Sequence, residues 1–268
     1  MSNIDAVNAL ITAINFDRFD EIEALHQPDV LFTSFRGPTL HDSVAVGDWH
    51  RAFLRDYADC NYSDVEYIEQ GDTVVVRATI EAKGYDWRPF AQRIVEVMRV
   101  EDGAVAERRM YAMLRDVELD KLATAAMTNA LGYKGGSPVE SRKVFEGLTA
   151  AVAANDMETA KTFYHDQAVA IDGVYGTAVG FDNMMALREA RPRPAFGADR
   201  VTATFFGDHD VLVESAIDPA RPRGAEWLRI VDGKIIVAEV YWMLREIGVN
   251  PNENLARDRH QRQVILPI

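Results

Sequence analysis

The sequence is short of cysteine. Cys60 is alone among 268 residues, which excludes an intramolecular disulfide and a four-cysteine zinc site and fits a reducing, cytoplasmic setting. Long apolar runs are missing too: none approaches the roughly 18 residues that a membrane helix needs. The opening stretch, MSNIDAVNALITAINFDRFD, lacks the basic start and small-residue cleavage site of a signal peptide and reads as an amphipathic helix. Positive charge is scarce. Against 42 Asp and Glu stand 29 Lys and Arg, a formal net charge of −13. A surface this acidic repels phosphate backbones and anionic lipids, so neither nucleic acid nor membrane is expected as a partner. The basic cluster Arg257, Arg259 and Arg262 reads as part of a solvated tail. There is no G-x-G-x-x-G, Walker-type loop or G-x-S-x-G elbow, so no nucleotide cofactor is implied. His41, Asp42, Asp48 and His50 are close in sequence but lack matched helical spacing; no metal is expected, and Asp48 and His50 read as solvated helix positions.

What is present is an ordinary globular composition, 48% hydrophobic and 26% charged, with length for one large domain or two small ones. The chain also repeats itself. RVEDGAVAERRMYAMLRD (99–116) parallels RIVDGKIIVAEVYWMLRE (229–246). Arg99/Arg229, Asp102/Asp232, Gly103/Gly233, Tyr111/Tyr241, Met113/Met243, Leu114/Leu244 and Arg115/Arg245 all fall at an offset of 130, as do Glu96/Glu226 upstream. An earlier echo pairs Asp17 with Asp156 and His26 with His165 at an offset of 139. Two landmarks in matching order argue for duplication, and two copies are too few for a solenoid.

Each copy has the same grammar. Apolar residues at helical spacing open it, Ile4, Val7, Leu10, Ile11 and Ile14 in one and Val144, Leu148, Ala151 and Val152 in the other. A short helix (20–25; 157–164), a strand (29–34; 167–172), a helix (44–57; 180–189) and several long strands follow. TVVVRATIEA (73–82) is rich in β-branched residues, and an Asp-Gly turn joins the last two strands of each copy. Helices followed by antiparallel strands make an α+β pattern. The boundaries read as a first domain over 1–118, a connecting helix and glycine-rich linker over 119–138, a second domain over 139–248, and a C-terminal tail over 249–268. The last strand of the second copy is apolar on both faces, so both faces must be covered. The expected arrangement is two curved sheets packed back to back, an intramolecular pseudo-dimer.

Each copy resembles the cone-shaped α+β barrel of the nuclear-transport-factor-like superfamily, in which a curved antiparallel sheet wraps N-terminal helices. That group includes SnoaL-like polyketide cyclases, ketosteroid isomerases and limonene epoxide hydrolases. GDWHRAFLRDY (47–57), QGDTVVVRATIEAKG (70–84) and VMRVEDGAVAE (97–107) resemble the SnoaL branch. NDMETAKTFYHDQAVAID (155–172) and AEWLRIVDGKI (225–235) are closer to ketosteroid isomerase. The resemblance puts Asp172 at the position of the general base, Glu226 at that of the oxyanion-hole acid, and Trp242, in VYWMLRE (240–246), at a pocket aromatic. It puts Leu148 where the family has an oxyanion tyrosine, so the isomerase constellation is broken there. In the first copy these positions hold Ser34, Ala9 and Ala112, with Glu96 remaining, and the first barrel reads as degenerate for this chemistry or specialised for another ligand.

The residues carry a compatible chemistry of their own. Asp172 follows Val169 and Ile171 at a strand end, where it could take a proton from a carbon next to a carbonyl. A buried, protonated Glu226 could donate to the enolate oxygen. The expected function is cofactor-free acid–base chemistry, isomerisation or aldol-type cyclisation, on a small hydrophobic carbonyl-containing ligand, with Tyr241, Trp242, Leu148 and His165 at the ligand site. The alternatives are a non-catalytic binding module and a structural or interaction protein of the same fold. Asp172 has a competing reading as a turn residue, Glu226 as a partner of Arg229, and His165 as a helix–strand corner residue.

Overall fold

The computed structural model describes residues 2–83, 89–113, 133, 135–190, 201–218 and 221–249. The expected connecting helix and most of the tail, with Arg257, Arg259 and Arg262, lie outside the described residues. The chain divides into two compact units, residues 1–116 with 243–255, and residues 117–242 with 256–268. The segment after Trp242, with its 3-10 helix Leu244–Ile247, therefore belongs to the first unit, where the Arg245 amide donates to the Phe35 carbonyl at 3.4 Å.

The first unit starts with α1 (Asn3–Asn15). Ser2 and Asp5 cap it reciprocally, and Val7, Leu10, Ile11 and Ile14 form its buried stripe. Next come α2 (Phe19–Ala24), β1 (His26–Ser34) and α3 (Ser43–Asp56), the last capped by Asp42. Four antiparallel strands complete the unit: β2 (Ala58–Gln70), β3 (Thr73–Lys83), β4 (Pro89–Glu101) and β5 (Ala104–Ala112). β1 joins the far side of β5 in parallel, giving the order β2-β3-β4-β5-β1.

The second unit runs in the same order. It has α4 (Pro138–Ala153), α5 (Met157–Thr162), β6 (Tyr164–Asp172), a short β7 (Gly176–Val179), α6 (Phe181–Ala190), β8 (Val201–Phe206), β9 (Asp210–Asp218), β10 (Arg221–Val231) and β11 (Lys234–Trp242). Its strand order is β8-β9-β10-β11-β6-β7. The Asp-Gly turns form as their residue types require. Asp102 and Gly103 have φ of 51° and 81°, and Asp232 and Gly233 have 50° and 74°, the positive values of a tight hairpin turn.

The architecture is mixed α/β with an antiparallel sheet, but the sheet is not closed into a barrel. Among the described residues no pairing joins β1 to β2, or β7 to β8. The helices make closure unnecessary: in the first unit α1 packs across β2, β3, β4 and β5, burying sheet surface that a barrel would turn inward on itself. Every residue of β11 from Ile235 to Trp242 is buried. No helix among the described residues is long and apolar enough to cross a membrane.

Candidate functional site

In the second unit α4, α6 and the sheet enclose a cavity of about 350 Å³. Leu148 and Val152 enter it from α4, while Val213 and Leu228 enter from β9 and β10. Leu148 follows Val144 at helical spacing, which turns both toward the sheet. Glu226 shares a face of β10 with Leu228, two residues on, and therefore also lines the cavity. Its register partners are Val213 on β9 and Val240 on β11. The Glu226 side chain makes no hydrogen bond or ion pair among the described residues. Arg188 of α6 and Tyr164 of β6 complete the polar lining; the Thr149 hydroxyl, also there, donates to the Phe145 carbonyl at 2.8 Å.

Asp172 also registers with Val240, from the other side of β11. Asp172 and Glu226 thus lie on the same sheet face two strands apart, about 10 Å between Cα atoms. Asp172 is buried but is not among the cavity-lining residues. Its Oδ1 accepts from the Val174 and Tyr175 amides at 2.9 and 3.2 Å and from the Trp242 indole at 3.0 Å. Tyr241, on the opposite face from Trp242, donates its hydroxyl to Glu239 at 2.8 Å. His165 is exposed beside a separate hollow of about 290 Å³, its Nδ1 accepting from the Gln167 amide. The structure therefore brings Glu226 together with Leu148, and Asp172 with Trp242, and leaves Tyr241 and His165 apart from both. Arg229 pairs with Asp210 at 2.6 Å, not with Glu226. The sequence reading missed Arg188 and Tyr164. Helical spacing from the buried Met184 pointed to Arg188; no sequence signal marked Tyr164.

The first unit holds a polar cluster at the position equivalent to Glu226. Glu96 of β4 registers with Met110, and Arg108, two residues back along β5, shares that face. Arg108 Nε donates to Glu96 Oε2 at 2.5 Å, and the Tyr62 hydroxyl donates to Glu96 Oε1 at 2.9 Å. Arg108 Nη1 lies 2.8 Å from His50 Nε2, and its guanidinium sits 4.9 Å from the Phe32 ring centroid. All four polar residues are buried, so His50, read from sequence as a solvated helix position, is a core residue. The reason is the aromatic packing of α3: Trp49 meets His50 edge-on at 4.9 Å and stacks on Phe53 at 4.8 Å, drawing this helix face inward. His26 is buried as well, with Nδ1 2.7 Å from the Ile22 carbonyl.

The charges in this cluster follow from burial. Burial opposes the charge on Arg108, but Glu96 and Tyr62 raise its pKa on balance. Burial, then Arg108, then His26 push His50 well below its usual range. Burial and Arg108 lower His26 to about 3, against the Ile22 hydrogen bond. Burial and Glu96 push Tyr62 up. Burial, with Asp17 and Glu96, lifts the Cys60 thiol to about 12, which leaves it a poor nucleophile at neutral pH. No group of three or more potential metal ligands occurs among the described residues.

No curated protein matches the chain. Among solved structures, the chain is similar to an NTF2-like protein of unknown function from Burkholderia pseudomallei, at 23% identity over 50% of this chain and 100% of that one (TM-score 0.39). It is similar to IdmH, a proposed polyketide cyclase from Streptomyces antibioticus, at 18% identity over 48% and 99% (TM-score 0.38). A hypothetical protein with a ketosteroid isomerase-like fold from Catenulispora acidiphila, in complex with trimethylamine, matches at 16% identity over 40% and 83% (TM-score 0.38). A family description, the SnoaL-like domain, matches residues 7–108. That match spans most of the first unit.

Proposed function

We propose that the second unit binds a small, largely hydrophobic, carbonyl-containing molecule and exchanges a proton with it through Glu226. The observation that carries this reading is a carboxylate with no side-chain partner among the described residues, in the wall of a mainly apolar cavity. Glu226 takes a proton from the carbon next to the carbonyl, leaving an enolate. Returning that proton at another carbon isomerises the substrate. If the enolate carbon instead attacks a second carbonyl, a carbon–carbon bond closes a ring, and the new alkoxide takes the proton back from Glu226. No cofactor enters this scheme. Asp172, assigned as base by resemblance, shares the sheet face and would act with Glu226 as a pair. The duplication read from sequence is consistent with the shared element order, and the second copy would be the catalytic one.

A specific observation favours a second reading, binding without chemistry. Asp172 Oδ1 already accepts three hydrogen bonds that brace a turn and the last strand. One experiment separates the readings: deuterium uptake at the α-carbon of 2-tetralone, a small apolar enolisable ketone, followed by NMR with wild-type chain, Glu226→Gln and Asp172→Asn. Loss of roughly 10²–10⁴-fold in exchange in both variants supports the pair, the range expected for a general base. Loss only in Glu226→Gln leaves Glu226 acting alone. Saturable binding of the ketone with no catalysed exchange in wild type refutes the catalytic reading in favour of the binder.

A further inference from the structure

Among the described residues that line the cavity of the second unit, two are charged: Glu226 on β10 and Arg188 on α6. Arg188 lies in the last turn of its helix, where a cation meets the negative end of the helix dipole. Phe181, Met184 and Arg188 recur at helical spacing, so the face that buries the first two also brings Arg188 to the cavity. The two charges line one cavity yet do not pair, since the Glu226 side chain makes no ion pair among the described residues. Opposite charges attract strongly across a mainly apolar space, so a guest in this cavity lies in the field of both.

The separation matters for where charge goes in the reaction. When Glu226 takes the proton, the C–H electron pair passes into the enolate, and the negative charge leaves the carboxylate for the substrate oxygen. A guanidinium already paired with Glu226 would lose a contact at that moment. A guanidinium apart from Glu226 and against the carbonyl oxygen gains one, because a hydrogen bond strengthens when its acceptor becomes charged. Only an interaction stronger in the transition state than in the ground state accelerates the chemical step. We propose that Arg188 is a second catalytic residue, donating its N–H groups to the substrate carbonyl oxygen and holding the enolate that Glu226 forms. Its planar set of donors does this without giving up a proton. The proposal rests on the reading of Glu226 as base, and it narrows the substrate class to neutral ketones. With a neutral ketone the charges of Glu226 and Arg188 cancel before the transfer, and those of the enolate and Arg188 cancel after it. A substrate with its own carboxylate would occupy Arg188 and leave a net negative charge in an apolar cavity.

The test uses the full chain and two readouts. The first is kcat and KM for deuterium exchange at the α-carbon of 2-tetralone. Arg188→Met keeps much of the apolar stem and removes the charge. Its kcat should fall by about 10²–10³-fold, the usual effect of deleting a donor to an oxyanion, with KM changed by less than about threefold. Arg188→Lys returns the charge and should recover roughly tenfold of that loss. A raised KM with kcat unchanged makes Arg188 a contact felt equally in the ground state and overturns the proposal, as does an unchanged rate in Arg188→Met. The second readout needs no turnover. 2-Naphthol is the aromatic counterpart of the tetralone enol, and its fluorescence distinguishes the neutral from the ionised form. Bound to Glu226→Gln, it should ionise at a pH about one unit or more below that of free 2-naphthol, and Glu226→Gln/Arg188→Met should abolish the shift. An equal shift in both variants, or none in either, overturns Arg188 as the oxyanion contact. If wild type exchanges no deuterium, the reading of Glu226 as base fails and the catalytic role of Arg188 fails with it. If wild type exchanges and only the Arg188 results fail, the reading of Glu226 stands.

Discussion

Glu96 and Glu226 hold equivalent positions in their sheets, opposite Met110 and Val240, yet among the described residues only the Glu96 side chain has partners. The difference lies one alternation further along the neighbouring strand. Arg108 stands there in the first unit, and its counterpart at the 130-residue offset is Ala238. Without a guanidinium on the neighbouring strand, Glu226 faces a cavity in place of a salt bridge. Their conservative substitutions should therefore behave oppositely.

Glu96→Gln leaves Arg108 charged, buried and short of its carboxylate, and should cost about 3–5 kcal/mol. Glu226→Gln breaks no described contact and should change stability by less than about 0.5 kcal/mol. Urea unfolding of both variants measures the contrast. Glu96→Gln/Arg108→Met should recover much of the loss, since it removes both ions.

Acid should destabilise the first unit through its histidines. His26 has a folded pKa of about 3 against an ordinary 6.5, so its stabilising effect is complete above 6.5 and is lost as pH falls toward 3. In that window the unfolded chain binds a proton that the folded chain refuses, and stability falls by about 1.4 kcal/mol per pH unit for this histidine. His50, depressed in the same direction, steepens the slope. Unfolding curves between pH 7 and 4 should be shallower in pH for His26→Gln than for wild type.

Trp242 ties the last strand of the second unit to the turn at Asp172. Trp242→Phe keeps an aromatic ring but removes the N–H-bearing half of the indole, leaving Asp172 Oδ1 with the Val174 and Tyr175 amide donors. A loss of roughly 2 kcal/mol is expected for a hydrogen bond to a carboxylate. If Asp172 only braces the turn, ketone binding should persist in this variant; calorimetry with 2-tetralone checks it.

Val152 is 39% exposed and lines the cavity beside Leu148. Val152→Trp should occupy ligand space from the partly exposed side of α4, with little effect on stability. Binding of 2-tetralone should weaken at least tenfold, while the thermal unfolding midpoint stays within about 2 °C of wild type. Unchanged binding would place the ligand outside this cavity.

The sequence by itself determined what depends on neighbours along the chain. The caps at Ser2, Asp42 and Ser137, the apolar stripe of α1 and the Asp-Gly turns are short-range matters of propensity and period, and they form where those patterns lie. The equivalence of Glu96 and Glu226 was legible for the same reason, because a matching Asp-Gly hairpin sets the register in each unit. Tertiary structure alone decided which charges meet. Tyr62 and Glu96 are 34 residues apart, His50 and Arg108 are 58 apart, and Asp172 and Trp242 are 70 apart. Each pairing depends on how helices and strands pack across the sheet, which a one-dimensional pattern does not encode. That is why His50 reads as a solvated helix position yet lies in the core, why identical landmarks leave His26 buried and His165 exposed, and why Glu226 lines a cavity while Glu96 sits in a salt bridge.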